Sequence, residues 1–439
     1  MMMKNTFLFT RFCYNLKGIY LLLFIITFLI TNQIKAQNDL QFYINAAYRN
    51  SPSLKENSNL IGISEIDKSL AEAQYSLPQI SLTSNYLFAP YFNNNGKLLS
   101  VSPDPEAVGY DVGITNGGLY SAQFNIEKNI FNGGTIDAYK NQSELRITNY
   151  RNNSDLLKHT LRKDVTEQYL NAYQAQQLYL LSKSIADTIL KPLKITEDLV
   201  SKGLAKQSDY LLLKIEVENQ KIVAEQYLND FRKNLSELNI ICGLKDTSKV
   251  NLTVTELNFE STKSGTNFYK QFVIDSLLIS NQQEIFETKY KPQVNLFFNT
   301  GLNAVELEGI QRKFGLSAGI NFSIPLYDGD QKSLTQQQAQ ISLNTVNVFK
   351  ENQVITVKNK LKNAKSQIEF YKLNLKSISK QISNYEQMLK ISQAELMRGQ
   401  LTMIEYITLI KNYLEWKKNE VTASCNYQLA INQYNYWNW

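Results

Sequence analysis

The 439-residue sequence is poor in the residues on which catalytic and metal sites depend. It contains one histidine, His159, and three cysteines. A catalytic triad or a zinc site needs several such side chains at a defined spacing, and a phosphate-binding loop needs a glycine-rich motif. None of these patterns occurs, so we predict that the protein is not an enzyme and binds no metal or cofactor. We expect His159 to be a polar residue on the surface of a long helix.

Cysteine is also too scarce for a disulfide-rich secreted scaffold. Only Cys242 and Cys425 lie beyond the N-terminal 36 residues. A bridge between them is compatible with an oxidising compartment. Two free thiols are the favoured alternative, because buried free cysteine commonly behaves as a small apolar residue.

The longest apolar run lies near the N-terminus. Three basic residues precede or flank an apolar stretch over 19–30, which ends shortly before Ala36. A membrane-spanning helix needs about 20 apolar residues, so this stretch is too short. We therefore interpret 1–36 as a secretory signal peptide cleaved after Ala36, rather than as an uncleaved anchor. Its removal takes away four basic groups and lowers the net charge from +6 to +2. The remaining charge is no argument for nucleic acid binding, and we expect none.

The rest of the chain repeats one pattern. Gly203 is matched by Gly399, and Asp209 is matched by Glu405, both at an offset of 196 residues. An internal duplication indicates that one supersecondary unit is used twice. We place the first repeat at 37–243, an equatorial linker segment at 244–268 and the second repeat at 269–439.

Each repeat contains two segments in which apolar and polar residues alternate. In the last of them, Leu316, Ala318 and Ile320 alternate with smaller or polar residues. This period of two predicts strands, at about 79–89, 119–129, 293–303 and 314–325. Each segment has about the length of a tilted transmembrane strand. A soluble hairpin with one solvated face would alternate in the same way.

Each repeat also contains two long helical stretches. From Val354 to Leu389, apolar residues follow one another at spacings of three and four, as in the seam of a coiled coil. No helix terminator occurs between about 330 and 396, which predicts one helix of about 66 residues and roughly 100 Å. Gly203 and Gly399 interrupt the helical pattern, so we predict a helical hairpin with its tip near each.

In their order and duplication these features resemble the TolC-like outer membrane efflux proteins. The resemblance covers essentially the whole mature chain, and its local motifs are Lys202-Gly203-Leu204 and Arg398-Gly399. It implies a mainly α fold with a β-barrel portion. Four strands per subunit would form a trimeric, twelve-stranded transmembrane β-barrel, which a periplasmic α-barrel of long helices continues. The segment 244–268 would belong to a belt around the α-barrel.

The resemblance also implies a function. Such proteins are the outer membrane channels of tripartite efflux or type I secretion systems. Each is a homotrimer in outer membrane lipid and a passive duct for small molecules or polypeptides. A periplasmic adaptor (membrane fusion) protein and, indirectly, an inner-membrane pump deliver the cargo. The alternative is a periplasmic coiled-coil adaptor or scaffold without a pore. Adaptors usually carry one hairpin between β-domains, whereas this sequence has two hairpins.

Adaptor docking is the role that the resemblance assigns to the hairpin tips. It points to Gly203, Leu204, Gly399 and Gln400. Gln400 departs from the small or apolar residue that usually follows the glycine. The alternative for both glycines is an ordinary helix C-cap.

Closure of the periplasmic entrance is the role implied for acidic residues near the tips. Asp209 and Glu405 lie six residues after their glycines, where the family carries carboxylates, and are therefore the periplasmic gate candidates. The alternative is that each carboxylate only interacts favourably with the helix dipole in a first turn.

Overall fold

The structure, a computed structural model, describes residues 39–101, 106–110, 118–245, 250–253, 255–260 and 266–439. The signal peptide predicted at 1–36 lies outside the described residues. So do 246–249, 254 and 261–265 of the predicted linker segment. The chain is mainly helical and divides into two compact units. Among the described residues, those within 39–55, 154–268 and 353–439 form a helical unit, and those within 56–153 and 269–352 form a sheet unit.

Helices and strands follow one another in a similar order in the two halves of the chain. The first half contains α1 (Leu40–Asn50), α2 (Pro52–Tyr75), β1 (Gln79–Phe88), β2 (Tyr91–Asn94), β3 (Lys97–Ser100), β4 (Gly118–Phe131), α3 (Thr135–Ser201) and α4 (Gln207–Cys242). The second half contains a 3₁₀ turn (Thr266–Tyr269), α5 (Lys270–Thr288), β5 (Gln293–Ala304), a 3₁₀ turn (Ile310–Arg312), β6 (Phe314–Ser323), α6 (Gln331–Met397) and α7 (Met403–Trp437).

The two longest helices, α3 and α6, have 67 residues each. The seam that the sequence shows in α6 is its less exposed stripe, because every seam position after Val354 is buried or half-buried. Within this stripe, Ile378 and Ile382 pack against Ala423 of α7. Around Ile378 and Ile382, the spacing of three and four therefore marks the face of α6 that α7 covers.

A four-stranded antiparallel sheet in the order β1-β4-β5-β6 dominates the sheet unit. The connection between β1 and β4 contains the β2–β3 hairpin. Its turn has positive φ at Asn95 (46°) and Gly96 (77°), as a tight hairpin turn requires. The four predicted strands do not include this hairpin, although Asn95-Gly96 is a strong hairpin signal.

Polar contacts link the helices of the sheet unit. Lys68 of α2 forms an ion pair with Glu144 of α3, and a similar exposed pair joins Glu72 to Lys140. Exposed pairs of this kind contribute little individually. A buried hydrogen bond also joins α5 to α3, because Asn281 Nδ2 donates to the Ala138 carbonyl at 3.0 Å.

The helical unit has its main core around α1. The Asp39 side chain caps this helix by accepting from the Phe42 amide at 2.8 Å. The core residues are Leu40, Tyr43, Ile44, Ala46 and Ala47 of α1, Val165, Tyr169 and Ala172 of α3, Leu235, Leu238 and Cys242 of α4, and Leu252. Cys242 and Cys425 are both buried free thiols, which is the favoured alternative of the sequence analysis. Across the described ranges, no helix has the length and hydropathy needed to cross a membrane.

We call the described residues 250–253 and 255–260 the strap. They form no helix or strand, so their backbone must find hydrogen bonds elsewhere. Amide side chains of the long helices supply several of them. Gln176 of α3 binds the strap at Leu252, and Gln428 and Asn435 of α7 bind it further along. The strap thus joins α3 to α7 through side-chain amides.

Candidate functional site

The first hairpin tip is a C-terminal cap on α3. The Gly203 amide donates to the Val200 carbonyl at 2.9 Å, and the Leu204 amide donates to the Leu199 carbonyl at 2.8 Å. Gly203 has a φ of +71°. These two bonds and the left-handed residue define a Schellman motif. Leu204 follows it with 72% of its surface exposed.

The second tip repeats this geometry at the end of α6. The Gly399 amide donates to the Leu396 carbonyl at 3.1 Å, and the Gln400 amide donates to the Glu395 carbonyl at 2.9 Å. Gly399 also has a φ of +71°. A Cβ atom at either tip glycine would meet nothing within 4 Å. Backbone conformation, rather than space, is therefore what requires glycine at both tips.

Asp209 and Glu405 occupy equivalent places after the two tips. The N-cap residues are Lys206 for α4 and Thr402 for α7, so each acidic residue lies at the third helical position. Asp209 is half-buried and Glu405 is exposed. The common distance of six residues from the glycine results from two successive caps, one ending a helix and one starting the next.

The two carboxylates differ in what they bind. Glu405 forms a capping box, in which its Oε2 accepts from the Thr402 amide at 2.9 Å and Thr402 Oγ1 accepts from the Glu405 amide at 3.3 Å. Hydrogen bonds from the Thr402 side chain and backbone lower the pKa of Glu405. Lys206 provides no side-chain cap, and the Asp209 side chain has no hydrogen bond to another described residue. Only Glu405, therefore, has a capping role.

Thr402 is the partner of Glu405 that the predicted dipole interaction does not include. The signal was present, because a threonine three residues before a glutamate is the capping-box pattern. At Asp209 the corresponding residue is lysine, which has no acceptor for a backbone amide. A favourable interaction with the helix dipole is thus the alternative to a gate that remains at Asp209.

Behind the tips, the two hairpins pack on each other within the helical unit. Ile185 and Ile189 of α3 share a core cluster with Leu213 and Val217 of α4 and with Leu414 of α7. Lys411 of α7 reaches Glu216 of α4, with Nζ 3.3 Å from Oε2. The Glu216 side chain is only 5% exposed. This ion pair links the returning helices of the two hairpins through a buried carboxylate and a lysine whose side chain is 55% exposed.

The main sheet has two chemically different faces. Paired residues of neighbouring strands point to the same side of a sheet. The register pairs Leu82 with Phe124, Phe124 with Thr300, and Thr300 with Leu316, so these four residues form one row on one face. We call this the apolar face. It comprises Ile80, Leu82, Ser84, Tyr86, Phe88, Tyr120, Ala122, Phe124, Ile126, Lys128, Val294, Leu296, Phe298, Thr300, Leu302, Ala304, Phe314, Leu316, Ala318, Ile320 and Phe322.

The opposite side, which we call the polar face, is rich in amides and hydroxyls. One row runs Ser81, Asn125, Asn299 and Ser317 across the four strands. Asn125 Nδ2 donates to Thr83 Oγ1 on the neighbouring strand at 2.7 Å. The alternation of each strand thus produces a coherent pair of faces over the whole sheet.

His159 contacts a cluster of aromatic residues at the C-terminal end of the chain, which includes Tyr436 and Trp439. Its ring stacks between Tyr436 and Trp439, with centroids 4.9 and 4.5 Å away and interplanar angles of 10° and 11°. Its Nε2 lies 2.8 Å from the Tyr436 carbonyl oxygen. His159 thus lies on the long helix α3, as expected, but it is half-buried and packs α3 against the end of α7. Among the described residues, no group of histidine, cysteine and acidic side chains is arranged to hold a metal.

Comparison with known proteins relates this geometry to a fold. The sequence matches no protein-family model and no curated protein. Solved structures do match. A membrane protein from Pseudomonas aeruginosa is 12% identical, with a TM-score of 0.72 over 91% of this chain and 90% of that one. The outer membrane protein VceC from Vibrio cholerae is 12% identical, with a TM-score of 0.69 over 91% and 96%. The CmeC outer membrane channel from Campylobacter jejuni is 13% identical, with a TM-score of 0.69 over 91% and 85%. This chain has a TolC-like fold.

The TolC-like fold confirms the predicted mainly helical architecture with a β portion. At 12–13% identity the likeness is one of fold, and it transfers no residue roles. Docking by Gly203, Leu204, Gly399 and Gln400 therefore stays a prediction, as does gating by Asp209 and Glu405. Within the TolC-like fold, the structure adds that the glycines are Schellman caps and that one gate candidate is a capping residue.

Proposed function

We propose that this protein is the outer membrane channel of a tripartite efflux or type I secretion system. It is a passive duct without enzymatic activity. Its signal peptide is cleaved after Ala36, and the mature protein extends from the outer membrane into the periplasm. The observation that carries the proposal is the TolC-like fold together with a sheet that is apolar on one face and polar on the other.

The composition of the two faces supports a place for the sheet between lipid and water. Outward-facing positions of a transmembrane sheet must be apolar, while a water-filled interior is lined by polar side chains. The apolar face carries large exposed side chains such as Leu82, Phe314 and Leu316, at 64%, 69% and 73% exposure. A soluble monomer rarely leaves so large an apolar surface uncovered.

Sheet edges support a closed trimer. In the described chain, β1 and β6 each have one strand neighbour, so each leaves one edge of the sheet open. Open edges invite pairing with another chain. Three copies would supply twelve strands, and pairing β1 of one copy with β6 of the next would close a barrel. The similar order of elements in the two halves agrees with an internal duplication.

Partners follow from the same proposal. A passive duct needs a periplasmic adaptor to deliver cargo from an inner-membrane pump, and the exposed tips at Leu204 and Gln400 are the surfaces that we assign to adaptor docking. Small molecules and polypeptides are both candidate cargo. A coiled-coil scaffold without a pore is the alternative, and it would leave the apolar face of the sheet without a role.

Electron microscopy of the mature protein, extracted in detergent from fractionated membranes, tests the proposal. We expect it in the outer membrane fraction, as a particle with three-fold symmetry and one continuous hollow tube. Insertion into planar lipid bilayers should give stepwise ionic currents. A monomer in the periplasmic fraction, or a solid rod that carries no current, would remove the pore and favour the scaffold.

A further inference from the structure

The polar face of the sheet is almost without charge. Its members on the paired strands are Gln79, Ser81, Thr83, Asn85, Leu87, Leu119, Ser121, Gln123, Asn125, Glu127, Asn129, Gln293, Asn295, Phe297, Asn299, Gly301, Asn303, Gly315, Ser317, Gly319, Asn321 and Ser323. Glu127 is the one ionisable residue in this set, and Phe297 is its one aromatic residue. The register makes the two direct cross-strand neighbours.

The Glu127 carboxylate is free to bind a cation from outside the protein. It is exposed and forms no hydrogen bond or ion pair with another described residue. Its neighbour on β1, Gln79, turns away and donates from Nε2 to the Ala73 carbonyl at 2.7 Å. The adjacent Lys128 belongs to the opposite, apolar face, so it does not neutralise Glu127 on the polar one.

Phe297 is laid flat against the sheet by a glycine. Its other cross-strand neighbour is Gly319, and a Cβ atom there would lie 2.5 Å from Cζ and 2.7 Å from Cε1 of Phe297. Any side chain at 319 would therefore displace the ring. The ring therefore lies over Gly319 of β6, in the same cross-strand row as Glu127 but on the other side of β5 from it, so an extended ligand would be needed to reach both groups.

We propose that Glu127 and Phe297 form a binding subsite for aromatic organic cations on the water-facing side of the channel. This inference rests on the proposed function, because the polar face lines water only if the sheet belongs to a pore. The carboxylate holds the positive charge, and the Phe297 ring stacks with the aromatic part of the cargo. The surrounding amides and hydroxyls add no formal charge that would compete.

The position of the pair in the sheet favours this role. Gln79 is the first residue of β1, and Gly319 lies in the half of β6 that leads towards α6. The row Gln79-Glu127-Phe297-Gly319 is therefore near the end of the sheet where the strands connect to helices. Three-fold repetition would place three carboxylates and three rings at one level. A ring of acidic side chains selects cations in a pore.

Ion selectivity of single channels tests the charge. Mature wild-type protein and its Glu127→Gln variant would be reconstituted in planar bilayers under a potassium chloride gradient. We expect the variant to lower the potassium-to-chloride permeability ratio by about twofold or more, as loss of an acidic ring does. Lys128→Gln is the matched control, because it removes the neighbouring charge from the apolar face, and we expect the ratio to stay unchanged.

Channel block tests the aromatic ring. Tetraphenylphosphonium is the aromatic probe, and tetraethylammonium is the cation without aromatic rings. We expect Phe297→Leu to raise the half-blocking concentration of tetraphenylphosphonium roughly threefold to tenfold, in the range of an aromatic or cation–π contact, and to leave tetraethylammonium block unchanged. Gly319→Ala should act in the same direction by displacing the ring.

The outcomes separate this inference from the proposed function. Pores whose selectivity and tetraphenylphosphonium block are the same in wild type, Glu127→Gln and Phe297→Leu would keep the channel and overturn the subsite. A folded protein that forms no pores would overturn both, since the polar face would then line no lumen.

Discussion

Gln176 and Leu252 exchange a reciprocal pair of hydrogen bonds between α3 and the strap. Gln176 Nε2 donates to the Leu252 carbonyl at 3.0 Å, and the Leu252 amide donates to Gln176 Oε1 at 2.8 Å. Both residues are buried, with Leu252 at 4% exposure. One side chain thus replaces the backbone partner that a strand would have, and it anchors an irregular segment to a helix.

Replacing Gln176 by alanine should release the strap locally. The change leaves a buried amide and a buried carbonyl of Leu252 without partners, at a cost of about 1–3 kcal/mol each. We expect the amide of Leu252 to exchange with solvent at least about 30-fold faster, since each 1.4 kcal/mol is a factor of ten. Hydrogen exchange with mass spectrometry of the peptide around 252 measures this.

Gln177→Ala provides the matched control. Gln177 is the next residue on α3, it is half-buried, and it has no contact with the strap among the described hydrogen bonds. Exchange at Leu252 should be unchanged in this variant. Equal exchange rates in the Gln176→Ala and wild-type proteins would show that the core contacts of Leu252 hold the strap without the amide pair.

Leu204 offers a test of adaptor docking that leaves the tip intact. Its side chain is exposed, and only its backbone amide takes part in the Schellman motif. We expect Leu204→Ser to weaken copurification with the cognate adaptor and to lower export severalfold, without a change in thermal stability. Ile222, 58% exposed on α4 and 18 residues beyond Leu204, is the control for loss of an exposed apolar side chain, and we expect Ile222→Ser to leave copurification unchanged.

The tip glycines need a different design. A β-branched residue at Gly203 would strain a backbone with φ of +71° whether or not a partner docks there. Gly203→Asn tolerates this conformation better, so we expect it to export better than Gly203→Val. Normal export by both Gly203→Val and Leu204→Ser would remove the first tip from the docking surface.

Cys242 and Cys425 should be chemically silent in the folded protein. Burial raises the pKa of Cys242 to about 12 and the pKa of Cys425 to about 11. The thiolate is the reactive form, so at pH 8 we expect no alkylation by iodoacetamide until the protein is unfolded in guanidinium, and then two labels per chain. A third label would reveal Cys13 and show that the signal segment had not been cleaved.

Local patterns in the sequence were informative wherever structure follows from periodicity. The alternation around Leu316 lies in β6, and the seam after Val354 is the packed stripe of α6. Gly203 and Gly399 mark helix ends because a left-handed residue there favours glycine. Two further local signals of the same kind are the hairpin turn Asn95-Gly96 and the capping box of Thr402 and Glu405.

Long-range pairings could not be read in this way. His159 lies 277 residues from the carbonyl that it contacts at Tyr436, and Gln176 lies 76 residues from Leu252. Histidine or glutamine on a helix carries no pattern that identifies such a partner. The neighbourhood of Glu127 and Phe297 likewise depends on the register between β4 and β5, which alternation alone does not determine.

Gating and capping can be separated at the acidic positions near the tips. Glu405→Gln removes the charge but keeps a side chain that can complete a capping box, and Asp209→Asn changes a residue with no capping bond among the described ones. If the carboxylates hold the entrance, as we predict, the double variant conducts more ions in bilayers and admits more antibiotic into cells. Thr402→Ala, which loses the cap but keeps both charges, should leave conductance unchanged.

The pH dependence of the second tip gives an independent measure of the cap. Hydrogen bonds from Thr402 hold the pKa of Glu405 below its ordinary value of 4.5. Stabilisation by the carboxylate is therefore complete above that ordinary value and is lost as the pH falls through the lower, folded value. We expect amide exchange at 402–406, corrected for the intrinsic pH effect, to accelerate only below that range. In Glu405→Gln this acceleration should disappear. If the acceleration persists in Glu405→Gln, another group causes the acid sensitivity. Glu405 would then have no measurable capping role and would remain only a gate candidate.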